Sequence, residues 1–338
     1  MEIKKRTSFK EKLKEAYVLL ILVGTILILA FFSDGKFLSN ASIINVLRVS
    51  VAPLVVATVA TLLMITGNVD LSVGSIVGLV ATVYAIMAQV GIPIIFSMLV
   101  VVCLGCACGW INGLLVTKLN ITPVIVTLAT MSLFLGIAKL LIPDGFDIIK
   151  NNMPEDMLMF AKGNVVGKIP PSIFVSIIIV GIFVFMQKKS TLGKYSVAIG
   201  GNKIAAQLAG INVQRAVWLL YVLVGAVSAV GGITRASYMQ AGDPDVGFGL
   251  EVQVIIAILL GGASFSGGKG SILNTVAAVY IMICLDKGLT LIGVDSYWSM
   301  LINGMVFIVA LVVNNAMKLN EIKQKKRFEM GSRLQLRT

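Results

Sequence analysis

The chain has 338 residues, of which 57% are hydrophobic and 13% charged, with a net charge of +12 and no histidine. A soluble domain carries about 25% charged residues, and the mean hydropathy of +0.96 exceeds what one water-facing core could bury, so lipid must cover much of this surface. Without histidine the usual general base and the commonest metal ligand are missing. The positive charge gathers at the two ends and in short gaps between apolar runs rather than along one polar face, which argues against nucleic-acid binding.

A membrane-spanning helix needs about 20 apolar residues. Ten segments qualify as candidates: 17–32, 50–66, 72–90, 93–117, 122–142, 171–187, 215–237, 250–263, 271–291 and 297–314. The lysine-rich start followed by an apolar run resembles a signal peptide. The residues that follow, Phe31, Phe32, Ser33 and Asp34, offer no small-x-small cleavage site, and an uncleaved first span is expected. An even number of spans puts both ends on one side. With both ends inside, the inner segments hold 20 Lys and Arg and the outer segments 7, while Lys139 lies within a span. That bias predicts cytoplasmic termini in a multi-pass protein of the plasma membrane.

The fourth span carries Cys103, Cys106 and Cys108 in VVCLGCACGW. Their spacing could hold a metal. The plainer reading takes Gly105, Cys106, Ala107, Cys108 and Gly109 as small residues that let helices approach closely, and no metal site is expected. The outer loop 143–170 is long and polar. The segment 250–263 is too short, because 14 helical residues rise only about 21 Å against a hydrocarbon core of about 30 Å. The preceding QAGDPDVGFG must then enter the membrane, where irregular backbone survives only under protein or beside a water-filled cavity.

Displacing the sequence along itself by 175 residues brings Met64 onto Met239, Gly67 onto Gly242, Asp70 onto Asp245, Gly74 onto Gly249 and Gly113 onto Gly288. With the topology above, Asp70 and Asp245 fall on opposite sides. The expected fold is therefore an all-α membrane protein of about ten spans, with spans 2–5 and 7–10 forming inverted repeats around broken helices. A basic N-terminus (1–16) and a basic tail (317–338) flank a single transmembrane domain (17–316). Its repeat halves cover 50–142 and 215–314, and a cytoplasmic segment, 188–214, links them.

Three motifs stand out. In GNVDLSVGS (67–75), Asp70 is costly in lipid; Asp70 or Ser72 could cap the following helix, Asp70 could line a solute path, or both. In AIGGNKIAAQLAGIN (198–212), Asn202 suits an N-cap and Gly210 a C′ position, which predicts a compact cytoplasmic helix fit either to connect or to dock a soluble partner. LLGGASFSGGKGS (259–271) imitates a phosphate loop, but Ala263 and Gly270 stand where the Walker pattern needs Gly and Ser or Thr. This chain is not expected to hydrolyse ATP.

NVDLSVGS, AAQLAGIN, LLGGASFSGGKGSI and KGLTLIGVDSYW, in this order, resemble the permease subunits of ribose- and other simple-sugar ABC importers, over residues 38–314. The resemblance implies a second permease copy, in a homo- or heterodimer, a cytoplasmic ATP-binding subunit and an extracytoplasmic solute-binding protein. It matches Ala205, Ala206 and Gly210 to the loop by which such permeases touch their ATPases, although Ile204 stands where many importers have Glu. ATP is then used by the partner, and this chain needs no cofactor. Alternating access around a path for a small neutral sugar-like solute makes Asp70, Gly74, Tyr238, Asp245, Phe248 and Trp298 the candidate path residues. The alternative, a stand-alone ion-coupled carrier, would want more buried acids than the spans contain.

Overall fold

The computed structural model describes residues 9–142, 148–149, 154–163, 169–295, 297–298, 301–302, 304–305, 308 and 312, with side chains from Tyr17 onward. The basic ends and most of the expected tenth span lie outside the described residues. Those described form twelve α-helices and one short 3-10 turn, Lys36–Leu38. In chain order they are α1 (Phe9–Phe32), α2 (Asn40–Ile65), α3 (Val73–Gln89), α4 (Ile94–Thr117), α5 (Pro123–Leu140), α6 (Glu155–Lys162), α7 (Pro171–Lys189), α8 (Thr191–Gly201), α9 (Lys203–Leu208), α10 (Val213–Met239), α11 (Leu250–Leu260) and α12 (Ile272–Leu291). Six of them, α2, α4, α5, α7, α10 and α12, are long and apolar enough to cross a membrane; α3, α11 and the 17–32 part of α1 are shorter apolar helices.

The helices extend the expected spans where polar residues cap them. The second starts ten residues early, at Asn40, because Ser39 accepts a hydrogen bond from the Ser42 N–H. α10 begins at Val213 because Asn212 accepts from the Arg215 N–H at 2.9 Å. The polar loop 143–170 holds a helix, α6. The segment 188–214 holds two, because the Gly200–Gly201 pair ends α8 without breaking its packing: a Cβ on Gly200 would strike the Ile65 carbonyl.

α2 and α10 form the buried centre. α10 packs against α2, α3 and α4, and α2 packs against α10, α11 and α12. Lipid-length helices at the rim, α4, α5 and α7, leave most of their apolar side chains partly or fully exposed, as helices solvated by acyl chains should. The α4–α10 contact is the tightest. A Cβ on Gly105 would run into the Gly225 carbonyl, and one on Gly109 into the Tyr221 carbonyl. The small-residue reading of the cysteine stretch thus holds at its glycines. Cys103 is exposed, Cys106 half-buried and Cys108 buried, and all three are free thiols.

The bundle has two ends. At one, the Gly268 N–H donates to the Ile65 carbonyl at 2.8 Å, Gly267 and Gly200 meet Ile65 and Gly67, and the Tyr17 hydroxyl donates to the Leu260 carbonyl at 3.0 Å. α8 and α9 lie here. At the other, Ile149 and Gly242 exchange backbone hydrogen bonds of 2.9 and 2.7 Å, and the Lys162 ammonium sits 5.8 Å from the centre of the Tyr238 ring.

Leucine at Gly109 overpacks a core contact, a change that costs about 1–3 kcal/mol or more. Gly136 has open space around it. Gly109→Leu is expected to lower the thermal unfolding midpoint of the detergent-solubilised protein by several degrees, and Gly136→Leu to leave it unchanged; equal midpoints for the two would exclude the close α4–α10 contact.

Candidate functional site

Two non-helical segments enter the bundle from opposite ends, and the second reaches down to the first turn of the helix that follows the first. The first is 66–72. After Ile65 the chain runs without helix to Val73. The Tyr221 hydroxyl, about two turns into α10, donates to the Val69 carbonyl at 2.9 Å, and Val77 packs beside Gly231, about five turns in. α3 therefore begins near the middle of the bundle.

The second is 240–249, which descends along α3 from the other end. Gly242 lies against Thr82 and Ala85, the Pro244 carbonyl against Gly78, and Gly247 against Gly74. At Gly74 and Gly247 the backbones touch: a Cβ on either would strike the other's carbonyl. α11 then completes the passage with 11 residues, a rise of about 16 Å. The short segment thus crosses as loop plus half-helix. Positive φ at Gln240 (57°) and Gly249 (79°) turns the chain at both ends of this stretch.

The first segment is fastened by a buried polar knot. Asp70 Oδ1 accepts from the Ser72 N–H at 2.9 Å and from the Ser72 hydroxyl at 2.6 Å. Asn112, fully buried on α4, donates through Nδ2 to Asp70 Oδ2 at 3.3 Å and to Ser72 Oγ at 2.7 Å. A carboxylate removed from water is tolerable only when donors replace the solvent. The capping expectation is corrected here. Ser72 occupies the N-cap of α3 but makes no side-chain cap bond, because its hydroxyl is committed to Asp70, and Asp70 holds Ser72 rather than the first turn of α3. Asn112, in the run WINGLL, gave no motif signal. An amide in an otherwise apolar span was the available clue.

The second segment is more open. Asp245 pairs with Lys139 of α5 at 3.0 Å, and both side chains are about half exposed. Phe248 is 86% exposed, and Val252 is exposed as well. Asp245 and Phe248 in the turn before α11, and Val252 in its first turn, are all exposed. Glu251 Oε1 accepts from the Gly249 N–H at 3.2 Å. Of the candidate path residues, the structure brings Gly74 beside the turn that carries Asp245 and Phe248. Asp70 lies below it in the polar knot. Tyr238 sits under Lys162 at the bundle end, and Trp298 is exposed on a stretch described only in part.

The cap geometry at α9 agrees with the sequence reading. Asn202 Oδ1 accepts from the Ala205 N–H at 3.0 Å. Gly210 has φ +83°, the Gly210 N–H donates to the Gln207 carbonyl, and the Ile211 N–H donates to the Ala206 carbonyl, the paired bonds of a Schellman ending. Ala206 is buried and anchors the helix. Ala205 and Gly210 are exposed, as are Ile204 (70%) and Leu208 (86%). That apolar pair, one turn apart, was not singled out from the sequence.

Removing Asn112 would leave the Asp70 carboxylate with Ser72 alone. Asn112→Ala is expected to destabilise the solubilised protein by about 2–3 kcal/mol, and Asp70→Ala to cost much less in the Asn112→Ala background than alone. Additive losses in thermal unfolding would show that the two residues do not form one network.

The family model described as branched-chain amino acid transport system / permease component matches residues 42–311. The galactose/methyl galactoside import permease of Escherichia coli K12 is 33% identical over 329 residues, covering 92% of this chain and 96% of that protein. The ribose import permease of Bacillus subtilis 168 is 34% identical over 298 residues, covering 88% and 90%, and that of Escherichia coli K12 is 30% identical over 309 residues, covering 90% and 95%. No solved structure matches the chain. Family model and relatives span the same region as the four ordered motifs, so the chain belongs to the binding-protein-dependent import permeases, in their ribose-type branch, and is a transport subunit and not an enzyme.

Proposed function

We propose that this chain forms the translocation path of an ATP-driven importer for a small neutral sugar, working by alternating access. The observation that carries the reading is the backbone contact of the descending segment with the first turn of α3, at Gly247 and Gly74, beside the exposed Asp245, Phe248 and Val252. A carboxylate and non-helical backbone at that depth cannot face acyl chains; they need a watery cavity or a protein partner. A ring-faced, hydroxylated solute suits a site offering Phe248 and carboxylates. The ribose and galactose import permeases among the relatives point to the same solute class.

Ten spans in two inverted repeats fit this arrangement. α2 and α10 have 26 and 27 residues, each is followed by a non-helical segment and a shorter helix, and each packs against the three successive helices of the other half. The excess of lysine and arginine supports cytoplasmic termini, and α8 and α9 then lie in the cytoplasm. The transmembrane domain is taken as 17–316, with repeat halves 50–142 and 215–314, segment 188–214 as the coupling element, and basic ends 1–16 and 317–338.

α9 is the docking element for a cytoplasmic ATP-binding subunit, which consumes the ATP; the chain itself carries no cofactor. Asn202 and Gly210 fix the helix, Ala206 seats it, and Ile204, Ala205 and Leu208 face the partner. A second permease copy covers the exposed face of the path, and an extracytoplasmic solute-binding protein delivers solute to the end that carries α6. Asp70 and Gly74 shape the inner half of the path, and Asp245 and Phe248 the outer half. Tyr238 and Trp298 lie toward its outer mouth.

Purification from native membranes in mild detergent is expected to bring down a Walker-motif ATPase, and the assembled complex to take up labelled ribose, galactose or xylose only with ATP. A chain that emerges alone from several gentle detergents would overturn the reading. Leu208→Asp and Gly210→Pro are expected to leave the chain inserted while lowering uptake at least about tenfold and loosening the ATPase; normal uptake in both would remove α9 from the coupling.

A further inference from the structure

A lysine at the end of an apolar helix can reach the interface without a partner, so a close ion pair at that position carries information. Lys139 lies in the last turn of α5, one residue from its end. Its ammonium reaches Asp245 at 3.0 Å, in the segment that descends along α3. We propose that Lys139 is a positioning residue for transport: its ion pair with Asp245 sets the 240–249 segment, and with it the start of α11, against the end of α5.

Packing holds the segment to the bundle, with Val246 against both buried clusters and Pro244 and Gly247 buried, but apolar packing supplies no charged tie. Its internal hydrogen bonds, Val246 N–H to Asp243 carbonyl, Phe248 N–H to Asp245 carbonyl and Leu250 N–H to Gly247 carbonyl, shape it without holding it to the bundle. Asp243 is turned inward on its own loop, accepting from the Asp245 N–H at 2.8 Å. Against α3 the segment rests on glycine contacts, which give close fit but no directional bond. The Ile149–Gly242 bridge holds its upper end only. The nearby Lys162 is placed over Tyr238. Lys139 therefore supplies a charged tie at the level where Asp245 and Phe248 meet the path.

The pair also occupies Asp245: with the Lys139 ammonium at 3.0 Å, its carboxylate is not a free cation site on the path. A half-exposed pair adds little to stability, so its value here lies in orientation. In an enzyme a misplacement near 1 Å can cost about 100-fold in rate, and a misplaced path segment is expected to slow transport in the same sense.

The inference rests on the permease reading, and the test separates the two. Lys139→Met, Lys139→Arg, Lys139→Asp and the exchange Lys139→Asp/Asp245→Lys are compared in the full complex, at matched membrane levels, for uptake of labelled ribose, galactose and xylose. Lys139→Met is expected to lower the maximal rate about tenfold with the half-saturating concentration unchanged. Lys139→Arg should stay near wild type, and the exchange should recover most of what Lys139→Asp alone loses. Wild-type rates for Lys139→Met, or an exchange no better than Lys139→Asp, would overturn the proposal. Should the wild type move none of the three sugars, the solute reading fails, and the proposal is then decided by the thiol-labelling rate of Phe248→Cys in native membranes, with the four native cysteines replaced by alanine. Lys139→Met should change that rate several-fold and Lys139→Arg restore it; an unchanged rate in Lys139→Met would overturn the positioning role.

Discussion

Backbone without helical hydrogen bonds cannot face acyl chains, and the fold is arranged around that constraint. Two stretches, 66–72 and 240–249, leave the helical pattern where a membrane protein would normally be helical. Each is shielded by neighbouring helices of the bundle. The first lies beside Tyr221 of α10 and Asn112 of α4, and the second lies along the glycine face of α3. α2 and α10 are the most buried spans because each packs against the first helices of the opposite half. The glycines at 74, 78 and 247 let these surfaces meet at backbone distance.

The two stretches differ in how their acids are handled. Asp70 is enclosed and hydrogen-bonded by neutral donors, so it holds structure together. Asp245, its counterpart in the 175-residue register, is half exposed and answered by a cation. One aspartate fastens a buried break and the other serves an open one. This asymmetry suits a protein whose two ends do different work.

Much of this could be read from the residues, for definable reasons. Long apolar runs located the six membrane-length helices, Asn202 and Gly210 gave α9 with both of its caps, and the shortness of 250–263 required the preceding loop to enter the bundle. The glycines around Cys106 and Cys108 signalled a close helix contact. What escaped depended on partners distant in sequence. The target of Asp70 is Asn112, 42 residues away, and no local pattern distinguishes that bond from an N-cap. The ion pair of Lys139 joins residues 106 positions apart. α6 and α8 were missed because polar and glycine-rich composition reads as loop, while packing against α10 and α7 is what makes these segments helical.

The stitching around α8 and α9 has a mechanical consequence. α9 is closed by hydrogen bonds at both ends and abuts α8, whose Gly200 rests on Ile65, and Ile65 accepts from Gly268. A flexible linker would absorb a displacement within its own torsions. This segment behaves as a strut: a push on α9 arrives with little loss at the joint where α2 ends and the turn after α11 begins. Those are the roots of both interrupted passages, so a single load at the membrane surface acts on the two halves of the crossing at once.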